Sequence, residues 1–201
     1  MHVLIPDPAA LADAATWVSR IIGTRPGIPI LAGMKLTASD GGLTLSATDY
    51  DSSAECVVDA EVKAPGNALV PGRLFAQIAT SARIGSLHLQ GPRLDVVAGR
   101  LRSSLTVLDL AEYPDLPPLP ETTHEVDTLA FASAISRLAP LLDRDSGEAN
   151  PGFMGVDITT DQASRDLVLR AGSRYALAEI RVPYKGTGDL AALPPWPACR
   201  S

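Results

Sequence analysis

Leu43-Thr44-Leu45-Ser46-Ala47 carries apolar side chains at alternate positions, the pattern of a strand with one buried face. The same phase returns in Leu94-Asp95-Val96-Val97-Ala98 and in Leu167-Val168-Leu169-Arg170-Ala171. Eleven residues past each first leucine stands Ala54, Leu105 or Ala178, and two further on Cys56, Val107 or Ile180. Parity is kept across the intervening turn because a one-residue slip would expose the whole apolar set. Upstream, Gly33, Gly85 and Gly155 each open a shorter alternation: Met34 and Leu36, Leu87 and Leu89, Val156 and Ile158. The turns between are Asp40-Gly41-Gly42, Gly91-Pro92-Arg93 and a longer one over 160–166. Each set of three strands follows an amphipathic helical run. Three ordered copies predict an α+β chain built from one repeated unit, with antiparallel strands behind a helix and the helices packed on one side of the sheets.

The helical runs are expected over 8–22, 73–84 and 128–139. Asp7 is a plausible N-cap with Pro8 at the first helical position. Leu11, Ala14, Val18 and Ile21 form the first buried stripe, Leu74, Phe75, Ile78 and Ala79 the second, and Leu129, Ala132, Ile135 and Leu138 the third. The second helix turns Arg73, Gln77, Thr80 and Arg83 outward, a row about 15 Å long at 1.5 Å per residue that contains no carboxylate. Two such units make one domain over 1–111. Residues 112–123, with prolines at 114, 117, 118 and 120, form a stiff linker, a third unit occupies 124–185, and 186–201 is a divergent tail.

A chain of 201 residues with 46% hydrophobic content suits a soluble globular protein with one or two cores. No stretch reaches the length of a membrane span, and the opening Met1-His2-Val3-Leu4-Ile5-Pro6 has no signal-peptide pattern, so a cytoplasmic protein without membrane partners is expected. Cys56 and Cys199 have no disulfide or zinc spacing. The net charge is −6, yet the three helical runs hold Arg20, Arg73, Arg83 and Arg137 against Asp13 alone, +3 together, leaving −9 elsewhere. An acidic shell around arginine-bearing helices fits a protein with one surface facing phosphate; solvated helix faces are the competing reading. Catalysis finds little support. His2, His88 and His124 lack metal-ligand spacing, Asp49 and Asp51 read as a solvated turn, and no nucleophile elbow, P-loop or dinucleotide fingerprint occurs. Neither a catalytic residue, a metal nor a cofactor is expected.

Arg25-Pro26-Gly27-Ile28-Pro29-Ile30-Leu31, residues 43–51, Val70-Pro71-Gly72-Arg73 and Tyr113-Pro114-Asp115-Leu116-Pro117 together resemble the bacterial replicative sliding clamp family, the β subunit of the DNA polymerase III holoenzyme. The resemblance covers residues 1–185. It implies a DNA-clamp fold of β-α-β-β-β units, two per domain, and a processivity factor for DNA replication that holds double-stranded DNA without reading its bases. The implied protein partners are DNA polymerase and clamp-loader subunits, with a homo-oligomer among the assemblies to be considered. Arg25 and Arg73 match family positions near DNA; Arg20, Arg83 and Arg137 are added from helix geometry. A family pocket for short peptide motifs maps onto Phe153, Arg174, Tyr175 and Leu177. The stretch Gly172-Ser173-Arg174-Tyr175-Ala176-Leu177-Ala178 departs from the family's Thr-Asp-x-x-Arg-Leu-Ala, however, and leaves core packing as the competing role for Leu177. Six units make a family subunit and this chain has three, so ring closure by this chain alone is not expected. The alternative is a truncated clamp-like module that engages clamp subunits or their partners without encircling DNA.

Overall fold

Asp7 starts the first helix, α1 (Pro8–Ser19): its carboxylate accepts from the amides of Ala9 at 2.9 Å and Ala10 at 3.3 Å, and Pro8, with no N–H to satisfy, begins the first turn. The structure, a computed structural model, describes residues 1–24, 26–117, 124–142 and 154–194. It divides the chain into two units, Met1–Pro118 and Leu119–Ser201.

In the first unit, β1 (His2–Leu4) precedes α1, and β2 (Gly33–Ser39), β3 (Gly42–Thr48) and β4 (Ser53–Val58) follow as an antiparallel meander. After β5 (Glu61–Ala64) the order recurs as β6 (Gly66–Pro71), α2 (Gly72–Ala82), β7 (Ser86–Gln90), β8 (Arg93–Ala98) and β9 (Leu101–Thr106). The two sheets run β4-β3-β2-β6 and β5-β1-β7-β8-β9. The first strand of each half therefore leaves its own meander and completes the other: β1 pairs with β7, Val3 opposite Leu87, and β6 with β2, Met34 opposite Val70.

The alternation read from the sequence sets the core. Leu43, Leu45 and Ala47 are buried, as are Leu94, Val96 and Ala98, and the expected parity holds in Leu45 opposite Cys56 and Leu94 opposite Leu105. Phe75, Leu11, Val18 and Ile22 seal the helix layer onto the sheets. Two helical positions differ from expectation. Ile22, not Ile21, is the fully buried residue after α1, because the helix stops at Ser19 and the chain turns; Leu74 is 46% exposed while Ala76 takes the inward place. The Asp49-x-Asp51 pair is an Asx turn, Asp49 Oδ1 accepting from the amides of Asp51 and Ser52.

Tyr113 pins the end of this unit. Its ring is buried, its hydroxyl donates to the Gly33 carbonyl at 3.3 Å and accepts from the Thr48 amide at 3.2 Å, and burial pushes its pKa above the ordinary phenol value.

The second unit repeats one half. β10 (His124–Val126), α3 (Thr128–Leu138) capped by Asp127, β11 (Asp157–Asp161), β12 (Asp166–Gly172) and β13 (Leu177–Gly186) are followed by β14 (Ala191–Ala192). The sheet order is β10-β13-β12-β11-β14. Leu167, Leu169 and Ala171 are buried with Ile135, Leu138 and Val156. Leu129, expected in the buried stripe, is 80% exposed, and Ala132 is exposed too.

The stretch read as a divergent tail has a place in the sheet. Ala192 lies opposite Ile158, as Ala68 lies opposite Leu36, and the Val156 amide donates to the Pro194 carbonyl at 3.4 Å where Met34 faces Val70. Leu190–Pro194 thus fills on β11 the slot that β6 fills on β2. The prolines disguised it: proline lacks a donor but keeps its acceptor. The rest of the tail, from 195 on, lies outside the described residues, as do 118–123 of the linker.

The solvent face of this sheet is laced by charge. Arg170 reaches Glu179 at 2.9 Å and Asp157 at 3.5 Å, and Arg181 reaches Asp161 at 2.9 Å and Glu179 at 3.0 Å. The hydrogen bond from Arg181 holds Asp161 below the usual carboxylate range, and that from Arg170 does the same for Glu179. Depressed carboxylate pKa values stabilise the fold fully above the unfolded-chain values of about 4 and cease to do so as pH falls through the lower folded values. Arg181→Gln should therefore shift acid unfolding of this unit to higher pH, read as earlier loss of hydrogen-exchange protection at β12 amides; an unchanged acid limb would show that the lattice contributes nothing.

Candidate nucleic-acid interface

Helices α1 and α2 pack side by side, and their contacts show them antiparallel. Thr16 Oγ1 lies 3.3 Å from Thr80 Oγ1, while Arg73, at the start of α2, reaches the end of α1, its Nε and Nη2 donating to the Ile22 carbonyl at 3.0 and 2.6 Å. Close approach is possible because Gly72 has no side chain: a Cβ there would collide with Ile22 and lie 2.9 Å from Met34 Cβ. Between the helices runs a shallow groove lined by Thr16, Ser19, Arg73, Ala76, Gln77, Thr80 and Ser81. Its lining contains no carboxylate. Asp7 and Asp13 instead border the opposite side of α1, with Trp17, Val57 and Asp59.

The sequence-selected arginines fall at helix ends. Arg20 is the C-cap of α1, Arg83 the C-cap of α2 with a left-handed φ of 48°, and Arg137 sits in the last turn of α3. All three, and Arg73, have exposed side chains. Among the described residues none of the four pairs with a carboxylate. Arg25 lies outside the described residues. Each helix C-terminus carries partial negative charge on its unsatisfied carbonyls, so these cations are held where they also stabilise the helix. Sequence pattern located Arg73 on an outward row but gave no sign of its bond to Ile22, since the acceptor is a main-chain carbonyl 51 residues away.

The candidate peptide-pocket residues gather at a hairpin tip. Gly172 pairs with Leu177 across a turn closed by the Ser173 amide donating to Ala176 at 2.8 Å. Tyr175 is 90% and Leu177 78% exposed, which rules out the core role for Leu177. The Arg174 guanidinium lies 5.8 Å from the Tyr175 ring centroid. Phe153 lies outside the described residues. No group of three or more His, Cys, Asp or Glu side chains arranged for a metal occurs among the described residues, and no helix is long and apolar enough to cross a membrane.

A family model for the N-terminal domain of the DNA polymerase III beta subunit matches residues 2–117. The chain belongs to that family. The beta sliding clamp of Streptomyces coelicolor is 39% identical over 171 residues, covering 84% of this chain and 45% of that relative. The beta subunit structure from Thermotoga maritima superposes with a TM-score of 0.83 at 21% identity, covering all of this chain and 55% of that one. The Helicobacter pylori beta clamp bound to a DNA ligase peptide gives 0.79 at 18% identity, over 99% and 57%. These structures establish the DNA-clamp fold that the resemblance implies. The chain spans about half the length of the relatives it matches.

In this clamp-family chain Arg73 has a structural task, the pair of bonds that ties α2 to the end of α1. Arg73→Ala should lower the stability of the first unit by about 1–3 kcal/mol, the range for hydrogen bonds to a charged donor, measured by urea unfolding. Arg20→Ala, which removes no side-chain hydrogen bond and only the attraction of a cation to the α1 C-terminus, should cost less, under about 1 kcal/mol.

Proposed function

We propose that this chain is a non-catalytic, cytoplasmic clamp-type accessory factor of replication that associates with duplex DNA without regard to sequence, through the α1–α2 groove and the arginines at the helix ends. The observation that carries this reading is local. A groove of hydroxyls, Gln77 and Arg73, free of carboxylates, lies in a protein whose overall charge is −6. Such a surface meets phosphates at a few points and offers no fixed set of donors aimed at base edges, so the attraction is electrostatic and register-free. Arg20, Arg73, Arg83 and Arg137 are the proposed phosphate contacts, with Arg25 added on the resemblance alone. DNA polymerase and clamp-loader subunits are the proposed protein partners.

Because Arg73 also holds α1, the clean test uses Arg20→Ala with Arg83→Ala. Duplex binding should weaken, and the slope of log affinity against log salt should shallow by about 2, roughly 0.9 per lost phosphate contact. An unchanged slope would remove both residues from the interface. Topological holding is tested separately by retention on nicked circular duplex after loader treatment. Retention lost on linearisation supports a working clamp, whereas equal loss from both forms sinks it.

A second reading is favoured by one observation. Tyr175 and Leu177, on a hairpin tip in the second unit, expose large apolar surface of the kind that anchors peptides. On that reading the chain is a clamp-like binding module for replication proteins, independent of encircled DNA. Tyr175→Ala should then weaken capture of clamp-binding peptides by about tenfold, about 1.4 kcal/mol, with duplex binding untouched.

A further inference from the structure

The pairing of β1 with β7 in the first unit brings together two histidines whose spacing along the chain suggested no site. His2 lies directly opposite His88, and their ring centroids are 4.9 Å apart with the planes inclined at 40°. Around them the main-chain hydrogen bonds fall at the odd-numbered residues of β1 and its extension, the Leu89 amide donating to the Met1 carbonyl at 2.9 Å and the Ile5 amide to the Gly85 carbonyl at 2.8 Å. His2 and His88 are therefore a pair without hydrogen bonds between their main chains, the kind in which facing side chains stand closest. Their neighbours Val3 and Leu87 are buried in the core beneath the helices, so both imidazoles rise from the opposite, solvent face of the sheet. Each is partly exposed.

The surroundings leave the pair open and draw positive charge toward it. Ala64, opposite His2 on β5, has only a methyl group with which to cover the ring. Asp95, opposite His88 on β8, puts a carboxylate on the same face one strand away. Lys63, the one cation on β5, is tied to Glu61 by an ion pair. Gln90 lies two residues along β7 on the same face as His88, its side-chain amide 3.2 Å from His88 Nδ1. Turned over, that amide offers its oxygen to an Nδ1–H and leaves His88 Nε2 as the free base. A hydrogen bond of this kind to the far nitrogen commonly fixes the tautomer of a metal-binding histidine.

We propose that His2 and His88 chelate one divalent transition cation of the zinc, nickel or copper kind, which clips β1 to β7. The spacing suits it: imidazole nitrogens bound at roughly 2.0–2.1 Å put each ring centroid about 3.2 Å from the metal, so two neighbouring ligands hold their centroids about 4.5–5.2 Å apart. Two imidazoles select such cations over Mg2+ and Ca2+, which prefer oxygen. With two protein ligands the remaining positions belong to water, so the cation exchanges, unlike one in a closed site of three or four side chains, a kind absent among the described residues. The consequence is mechanical. β1 is a strand of three residues that joins one half of the unit to the sheet of the other. A cation held by both strands is lost on unfolding, so it stabilises that junction. The site lies on the face of the sheet away from α1 and α2, apart from the candidate DNA surface.

Calorimetric titration of the full chain with Zn2+ or Ni2+ should show a single saturable event, and about 0.1 mM of either cation should raise the urea midpoint of the first unit, whereas Mg2+ should not. His88→Gln, which leaves His2 in place, should weaken the affinity at least about tenfold and abolish the shift, and His2→Gln should do the same. Gln90→Leu should weaken binding by about tenfold, through the orientation of His88. His124→Gln, in the second unit, should change nothing, and duplex binding should be the same with and without the cation. Acid should release the metal, because a protonated imidazole has no lone pair to give. The absence of saturable binding, full affinity in His88→Gln, or a midpoint shift that survives loss of either histidine overturns the proposal and leaves the pair as two rings in contact.

Discussion

The exchange of first strands governs the first unit. A three-strand meander such as β2-β3-β4 leaves the β2 edge with unpaired main-chain donors and acceptors, and β6 from the other half satisfies them across six residue pairs while β1 returns the service to β7. Neither sheet is complete without a strand from the other half. That reciprocity fixes where α1 and α2 sit, because each helix follows directly from a strand committed to the opposite sheet. The antiparallel approach of the helices, the Thr16–Thr80 contact and the bond from Arg73 to Ile22 are consequences of it.

The sequence disclosed what depends on one buried face and hid what depends on a distant neighbour. Leu43, Leu45 and Ala47 announced their strand because alternation is local, and Asp7-Pro8 announced a helix start for the same reason. His2-Val3-Leu4 holds too few residues for a period, and its partner Leu87 is far along the chain, so the exchange itself was illegible. Helical periodicity marked Leu74 and Leu129 as apolar but carries no record of whether a neighbouring element covers them. At 190–194 the proline argued against a strand. The slot on β11 nevertheless uses the Pro194 carbonyl, and only the paired edge of Val156 and Ile158 shows it.

The candidate interface was half legible in the same sense. Arginines without nearby acids on a helical row are a sequence observation, and the structure adds that the groove between α1 and α2 has hydroxyl and amide lining. Several of those hydroxyls are already committed, Thr80 donating to Ala76, Ser81 to Gln77 and Ser19 to Thr16, all within their own helices. The lining is thus polar without offering a dense array of free donors, which is poor material for recognising any particular ligand.

The placement of the cations bears on how tightly such a surface can hold. Arg20, Arg83 and Arg137 all sit at helix C-termini, where the main chain carries a partial charge of about −0.5. Arg73, although it opens its own helix, spends two of its donors on the last carbonyl beyond α1. Every one of these positive charges is therefore partly offset by the main chain that positions it, and the potential projected toward a phosphate is weaker than four isolated arginines would give. A tight, ion-paired grip would arrest a protein on DNA, because each step would break several strong contacts at once. On the function proposed here, cations anchored on helix C-termini would lower that barrier while keeping the sign of the field, which favours a contact that is held loosely and moves.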